Sequence, residues 1–81
     1  MKIDLAPRFK KALCKFPKEI QEKFYKQAGF LKKDIRHPSL HAKKYDEAHD
    51  IWQARVDENI RFYFTIEKDT YVLLNIKKHP K

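Results

Sequence analysis

The chain of 81 residues holds one glycine, one cysteine and no long apolar run. The lone Gly29 excludes a glycine-rich phosphate loop, which needs several positions without a Cβ where backbone meets phosphate. The lone Cys14 excludes an internal disulfide and a multi-cysteine zinc site, and it suits a reducing compartment. No apolar stretch approaches the ~18 residues of a membrane span. The opening Met1-Lys2-Ile3-Asp4-Leu5 is too short and too charged for a secretory signal, so the cytoplasm is the expected compartment. Acids are scarce as well: 11 against 19 lysines and arginines, a net charge of +8. An excess of that size on so short a chain points to an anionic partner: nucleic acid, a membrane surface or an acidic protein, with nucleic acid or an acidic protein favoured.

What the chain has in quantity is β-branched and aromatic residues in three runs between Ile51 and Lys78. In the first, Trp52, Ala54 and Val56 share one face and Gln53 and Arg55 the other. In the second, Ile60, Phe62, Phe64 and Ile66 alternate with Arg61, Tyr63 and Thr65. That is the period of half-buried strands. Asp57-Glu58-Asn59 reads as a three-residue hairpin loop, which sets Arg55 opposite Arg61. Two facing arginines repel unless an anion sits on them, so Arg61 is expected to add nothing to fold stability. The third run, Tyr71 to Lys78, joins the sheet with Val72, Leu74 and Ile76 on the apolar face if the second loop is odd-numbered or a bulge intervenes. The odd loop is expected, with Asn75 and Lys77 facing outward.

Residues 2–5 alternate and suggest a short strand. Pro7 suits a first helical turn. Phe9, Ala12, Leu13 and Phe16 make one helical stripe, and Ile20, Phe24, Ala28, Leu31 and Ile35 a second. Helices are expected near 8–15 and 18–35, ending before Pro38. Cys14 lies on or beside the first stripe and is expected in the core. Gly29 marks close packing or a kink. Residues 37–50 read as irregular. The expectation is one α+β domain over residues 1–81: an N-terminal strand and a helical hairpin packed on a three- to four-stranded antiparallel sheet.

The chemistry is basic. His37 and His41 are four apart, but Pro38 between them opposes the helix that would align them, so no metal is expected. Arg55 and Arg61 occupy the outer face; Lys43 and Lys44 enter the first run, and Lys77, Lys78 and His79 leave the last. Guanidinium forks bind phosphate bidentately. A histidine supplies a proton near neutral pH, and Tyr63 offers a face for a base.

These pieces together resemble the RelE/ParE family of type II toxin–antitoxin toxins over nearly the whole chain. The matching residues are Pro7-Arg8-Phe9-Lys10-Lys11, Phe16-Pro17-Lys18-Glu19-Ile20-Gln21, His37-Pro38-Ser39-Leu40, Lys43-Lys44-Tyr45, Trp52-Gln53-Ala54-Arg55-Val56 and Ile60-Arg61-Phe62-Tyr63-Phe64. The resemblance implies a RelE/ParE-like fold and a ribosome-dependent, metal-independent endoribonuclease that cleaves mRNA without a cofactor. It implies Arg61, Arg55, His79 and Lys44 as catalytic residues, with Lys43, Tyr63, Lys77, Lys78 and His41 on the RNA. Its implied partners are an acidic, partly disordered antitoxin, mRNA and the ribosome. A gyrase inhibitor of the ParE type and a non-catalytic RNA-binding domain are the alternative readings.

Overall fold

Proline opens both helices of the computed structural model, which describes residues 1–79. Pro7 is the first residue of α1 (Pro7–Cys14), where its missing N–H has no partner to lose. Pro17 sits at the N-cap of α2 (Lys18–Lys33). Lys32 and Lys33 close α2, favourably placed at the negative end of its dipole. The strands are β1 (Lys2–Leu5), β2 (Lys43–Asp46), β3 (Ile51–Arg55), β4 (Ile60–Glu67) and β5 (Thr70–Lys78), with a 3-10 turn at Pro38–Leu40 before β2.

The five strands form one sheet in the order β1-β5-β4-β3-β2. β1 runs parallel to β5, and the other neighbours are antiparallel. The class is the expected α+β layer, with one strand more than expected. β2 lies in the stretch read as irregular. Its four residues carry no alternating apolar pattern, and a register shift falls between Lys44 and Asp46.

The third run pairs differently from expectation. Lys68-Asp69 is an even, two-residue turn, with Glu67 opposite Thr70 and Phe64 opposite Leu73. Lys68 adopts φ 55°, the left-handed conformation such turns demand. The register then shifts between Tyr63 and Phe64, so that Tyr63 faces Asn75 and Phe62 faces Ile76. Tyr71, Leu73 and Ile76 therefore enter the core, while Val72 and Leu74 are only half-buried. The bulge lets an even turn coexist with an outward Asn75, because the extra residue restores the alternation.

The helices cover one face of this sheet. Phe9, Phe24, Leu31, Phe62, Phe64 and Leu73 are fully buried. Phe24 meets Phe62 edge-on at 5.5 Å and Phe9 at 5.0 Å. Burying each such ring stabilises the fold by about 1.5–3 kcal/mol. Trp52 packs against the core over Phe64 but is only half-buried. Cys14 is exposed, contrary to expectation, because one residue past Leu13 is a step of about 100° around α1, off the buried stripe. Gly29 has open space where a Cβ would stand, so close packing does not explain it, and α2 runs through it without a break. Among the described residues no helix is long and apolar enough to cross a membrane.

Candidate functional site

The sheet face away from the core carries the basic residues. Arg55 and Arg61 are directly opposed across the β3–β4 ladder, as the hairpin reading requires. His41, Lys43, Arg55, Arg61 and His79 line a single cleft of about 400 Å³, with Ala42 and Gln53. They come from four separate segments, and each is placed by a local device.

His41 follows the 3-10 turn with φ 46°, a left-handed conformation that histidine enters more readily than most residues other than glycine. That conformation turns the chain sharply into β2. Lys43 pairs with Gln53 and so faces the cleft side of the sheet. His79 is brought in by its backbone, whose N–H donates to the Asn59 carbonyl at 2.6 Å. Its ring stays exposed.

The two arginines have different surroundings. Arg61 is 6% exposed. Its Nη1 donates to the carbonyls of Asp57 (2.6 Å), Glu58 (3.0 Å) and, more weakly, Ile60 (3.3 Å). The Asp57 carboxylate in turn accepts from the N–H groups of Asn59 and Ile60 at 2.8 and 2.9 Å. Arg61 thus ties down the hairpin loop, so the expectation that it adds nothing to stability is corrected. A hydrogen bond to a charged group stabilises by ~1.5–3 kcal/mol, and that offsets the repulsion from Arg55. Every buried side-chain nitrogen and oxygen among the described residues has a partner. The guanidinium nitrogens of Arg61 that make no bond to the protein therefore keep access to the cleft. The Arg55 guanidinium enters no hydrogen bond or ion pair among the described residues, which leaves its whole fork available.

The end of β3 is fixed from the helix side. Gln27 of α2 is buried, and its Nε2 donates to the carbonyls of Arg55 and Ser39, each at 2.9 Å. Its Oε1 accepts from the Ser39 hydroxyl at 3.1 Å. One amide therefore locks α2, the 3-10 turn and β3 together, just where His41 and Arg55 leave for the cleft. The apolar stripe of α2 hides this residue from sequence reasoning, which looks for apolar partners there. His37 stacks on Phe30 at 3.9 Å, and its Nδ1 accepts from the Ser39 N–H. Its role is to cap the turn.

Two of the expected site residues lie beside the cleft on the same face. Tyr63 is buried beneath Tyr45, with Lys77 Nζ 5.1 Å from its ring centre. Burial, and then Tyr45, push the Tyr63 phenol above the ordinary tyrosine value, against a smaller opposite effect of Arg61. The phenol therefore stays protonated at neutral pH.

Two others are not brought to the cleft. Lys44 pairs with Trp52, which directs it to the opposite face of the sheet. There its ammonium bonds Asp50 and sits 5.3 Å from the Trp52 ring centre. Its hydrogen bond to the Asp50 carboxylate raises its pKa, the reverse of what a neutral lysine base needs. Lys78 pairs with Ile60 and likewise faces away from the cleft. In each case a one-residue step along a strand reverses the face. No group of three or more His, Cys, Asp or Glu side chains suited to a metal ion occurs among the described residues.

The arrangement defines a class of fold: a helical hairpin on one face of a five-stranded sheet, with the basic cleft on the other. No family model and no curated protein matches the chain. Solved structures do share the fold. The archaeal RelE–RelB complex from Pyrococcus horikoshii OT3 matches with a TM-score of 0.79 at 17% identity, over 95% of this chain and 92% of that one. The YoeB/ParE toxin from Agrobacterium tumefaciens matches with a TM-score of 0.81 at 12% identity, over 99% and 100%. The heterotetrameric YoeB–YefM toxin–antitoxin complex from Staphylococcus aureus gives 0.79 at 13% identity, over 99% and 98%. The chain thus has the fold of the RelE and YoeB toxins.

Proposed function

We propose that this protein is a RelE-like toxin of a type II toxin–antitoxin module, one toxin domain across residues 1–81, that cleaves mRNA on the ribosome in the cytoplasm. The observation that carries the reading is the cleft itself. Two arginines, a lysine and two histidines converge on an exposed sheet face, in a fold shared with RelE and YoeB toxins. Those residue types in one cleft can supply the charge stabilisation and proton transfers of metal-free phosphodiester cleavage.

In this reading Arg55 forks the scissile phosphate, and Arg61 adds donors from its pinned position. Both meet charge as it grows on the phosphoryl oxygens, and pre-positioned donors are effective because they need no reorganisation. The ribose 2′-oxygen attacks phosphorus and passes its proton to a ring nitrogen of His41. The P–O5′ bond breaks, and the leaving 5′-oxygen takes a proton from the His79 ring. The products are a 2′,3′-cyclic phosphate and a 5′-hydroxyl. Lys43 anchors a neighbouring phosphate. The partner on the protein side is an acidic antitoxin, which the net charge of +8 suits and which the toxin–antitoxin complex among the structural relatives parallels.

The test is mRNA cleavage on programmed ribosomes, mapped by primer extension, beside a gyrase supercoiling assay. Cleavage that disappears with Arg55→Ala supports the reading. Inhibited supercoiling with intact mRNA replaces it with a gyrase poison.

A further inference from the structure

We propose that the groove beside the cleft is a nucleobase subsite, taking one unstacked base of single-stranded RNA by its keto edge. The proposal rests on the RNA reading of the adjoining cleft and adds to it a place where sequence is read. The groove measures about 450 Å³, and Arg8, Tyr45, Ile51, Tyr63, Asn75 and Lys77 are among its lining residues.

Tyr45 is 56% exposed, although large aromatic rings on a small protein are usually covered. It stands edge-on to Tyr63 at 4.8 Å between ring centres, and the Lys77 ammonium lies over the Tyr63 ring at 5.1 Å. Tyr63 is thereby fixed as a support, and Tyr45 offers the free ring. Base-on-aromatic stacking is how single-stranded nucleic acid is gripped, because unstacked bases expose their faces.

Continuity places the groove. Tyr63 lies two residues beyond Arg61 on β4, about 7 Å along the strand. Its cross-strand partner Gln53 lines the cleft. A chain whose phosphate sits on the arginines therefore has a base within reach of Tyr45.

The polar lining selects the edge. The Asn75 side-chain oxygen already accepts from the Ile76 N–H at 3.0 Å, which leaves its NH₂ group for a ligand. Lys77 and Arg8 are donors only. Uracil and guanine present keto oxygens at the positions where cytosine and adenine present amino donors. Ala6, Ile51 and Leu74 make the rest of the lining apolar, so the few polar groups that meet a base edge are mainly these donors, and they favour the keto bases.

The experiment is calorimetric titration of the whole protein with an oligodeoxyuridine tetramer, which lacks the 2′-hydroxyl and so resists cleavage. Tyr45→Ala is expected to weaken binding about fivefold to a hundredfold, and Tyr45→Phe to keep it. Oligodeoxycytidine should bind more weakly than oligodeoxyuridine, with the difference erased by Asn75→Leu or, as a check on folding, by Lys77→Met. Unchanged binding by Tyr45→Ala, or equal binding of the two oligomers by the unaltered protein, overturns the proposal. The two readings fail separately. Ribosomal cleavage with unchanged Tyr45→Ala binding removes the groove and keeps the nuclease. Tyr45-dependent binding without cleavage keeps the groove and removes the nuclease.

Discussion

Gln27 donates a 2.9 Å hydrogen bond to the carbonyl of Arg55, so a helix on one side of the sheet sets the strand end that presents a guanidinium on the other. The same amide group serves two more partners, both on Ser39. Gln27→Ala should therefore cost about 1–3 kcal/mol, since it strands partly buried groups without a bond. Urea unfolding measures it. A loss inside ~0.5 kcal/mol, the range of an ordinary surface change, would show that water replaces the amide.

The arginines should separate in their effects. Arg61→Ala is expected to lower stability by about 1–3 kcal/mol, because it releases the loop carbonyls of Asp57 and Glu58. Arg55→Ala should leave stability within ~0.5 kcal/mol. It should still cut ribosomal mRNA cleavage by roughly a hundredfold or more, as the loss of one transition-state donor does elsewhere. Paired melts and cleavage rates decide this. Equal melting temperatures for both variants would contradict the structural role of Arg61.

Gly29→Ala should stabilise the protein by about 0.5–1 kcal/mol. The position is helical and has nothing within 4 Å of the added methyl. Alanine therefore gains helix propensity without a clash. A lower melting temperature for Gly29→Ala would show that the open face meets something in solution.

Alkaline pH should destabilise the fold. Burial raises the pKa of Tyr63 and of Tyr71, with Tyr45 adding to the first and Asp34 to the second. Above the ordinary value of 10.0 the unfolded chain loses these protons while the folded chain keeps them. Stability is then complete below pH 10 and declines as pH climbs toward the folded values. Denaturation at a series of pH values should show that slope, and a Tyr63→Phe, Tyr71→Phe double variant should flatten it. An unchanged slope in the double variant would assign the alkaline loss to other groups.

By itself the sequence determined the helices, the two-faced strands of the β3–β4 hairpin and the opposition of Arg55 and Arg61. All of these follow from local periodicity: 3.6 residues per turn in one case, two in the other, and a three-residue loop that fixes one register. It did not determine the third register. An even turn with a bulge and an odd turn satisfy nearly the same alternation, and the packing of Leu73 and Tyr71 against the helices chose between them. Nor did it place Lys44. A lysine next to Lys43 looks equivalent along the chain, yet β2 pairing sends the two to opposite faces. The gathering of His41, Lys43, Arg55, Arg61 and His79 was decided only in three dimensions. His41 arrives through a left-handed backbone, and His79 through one bond from its N–H to Asn59. Such bonds join residues far apart in the chain, and no periodic signal in the sequence records them.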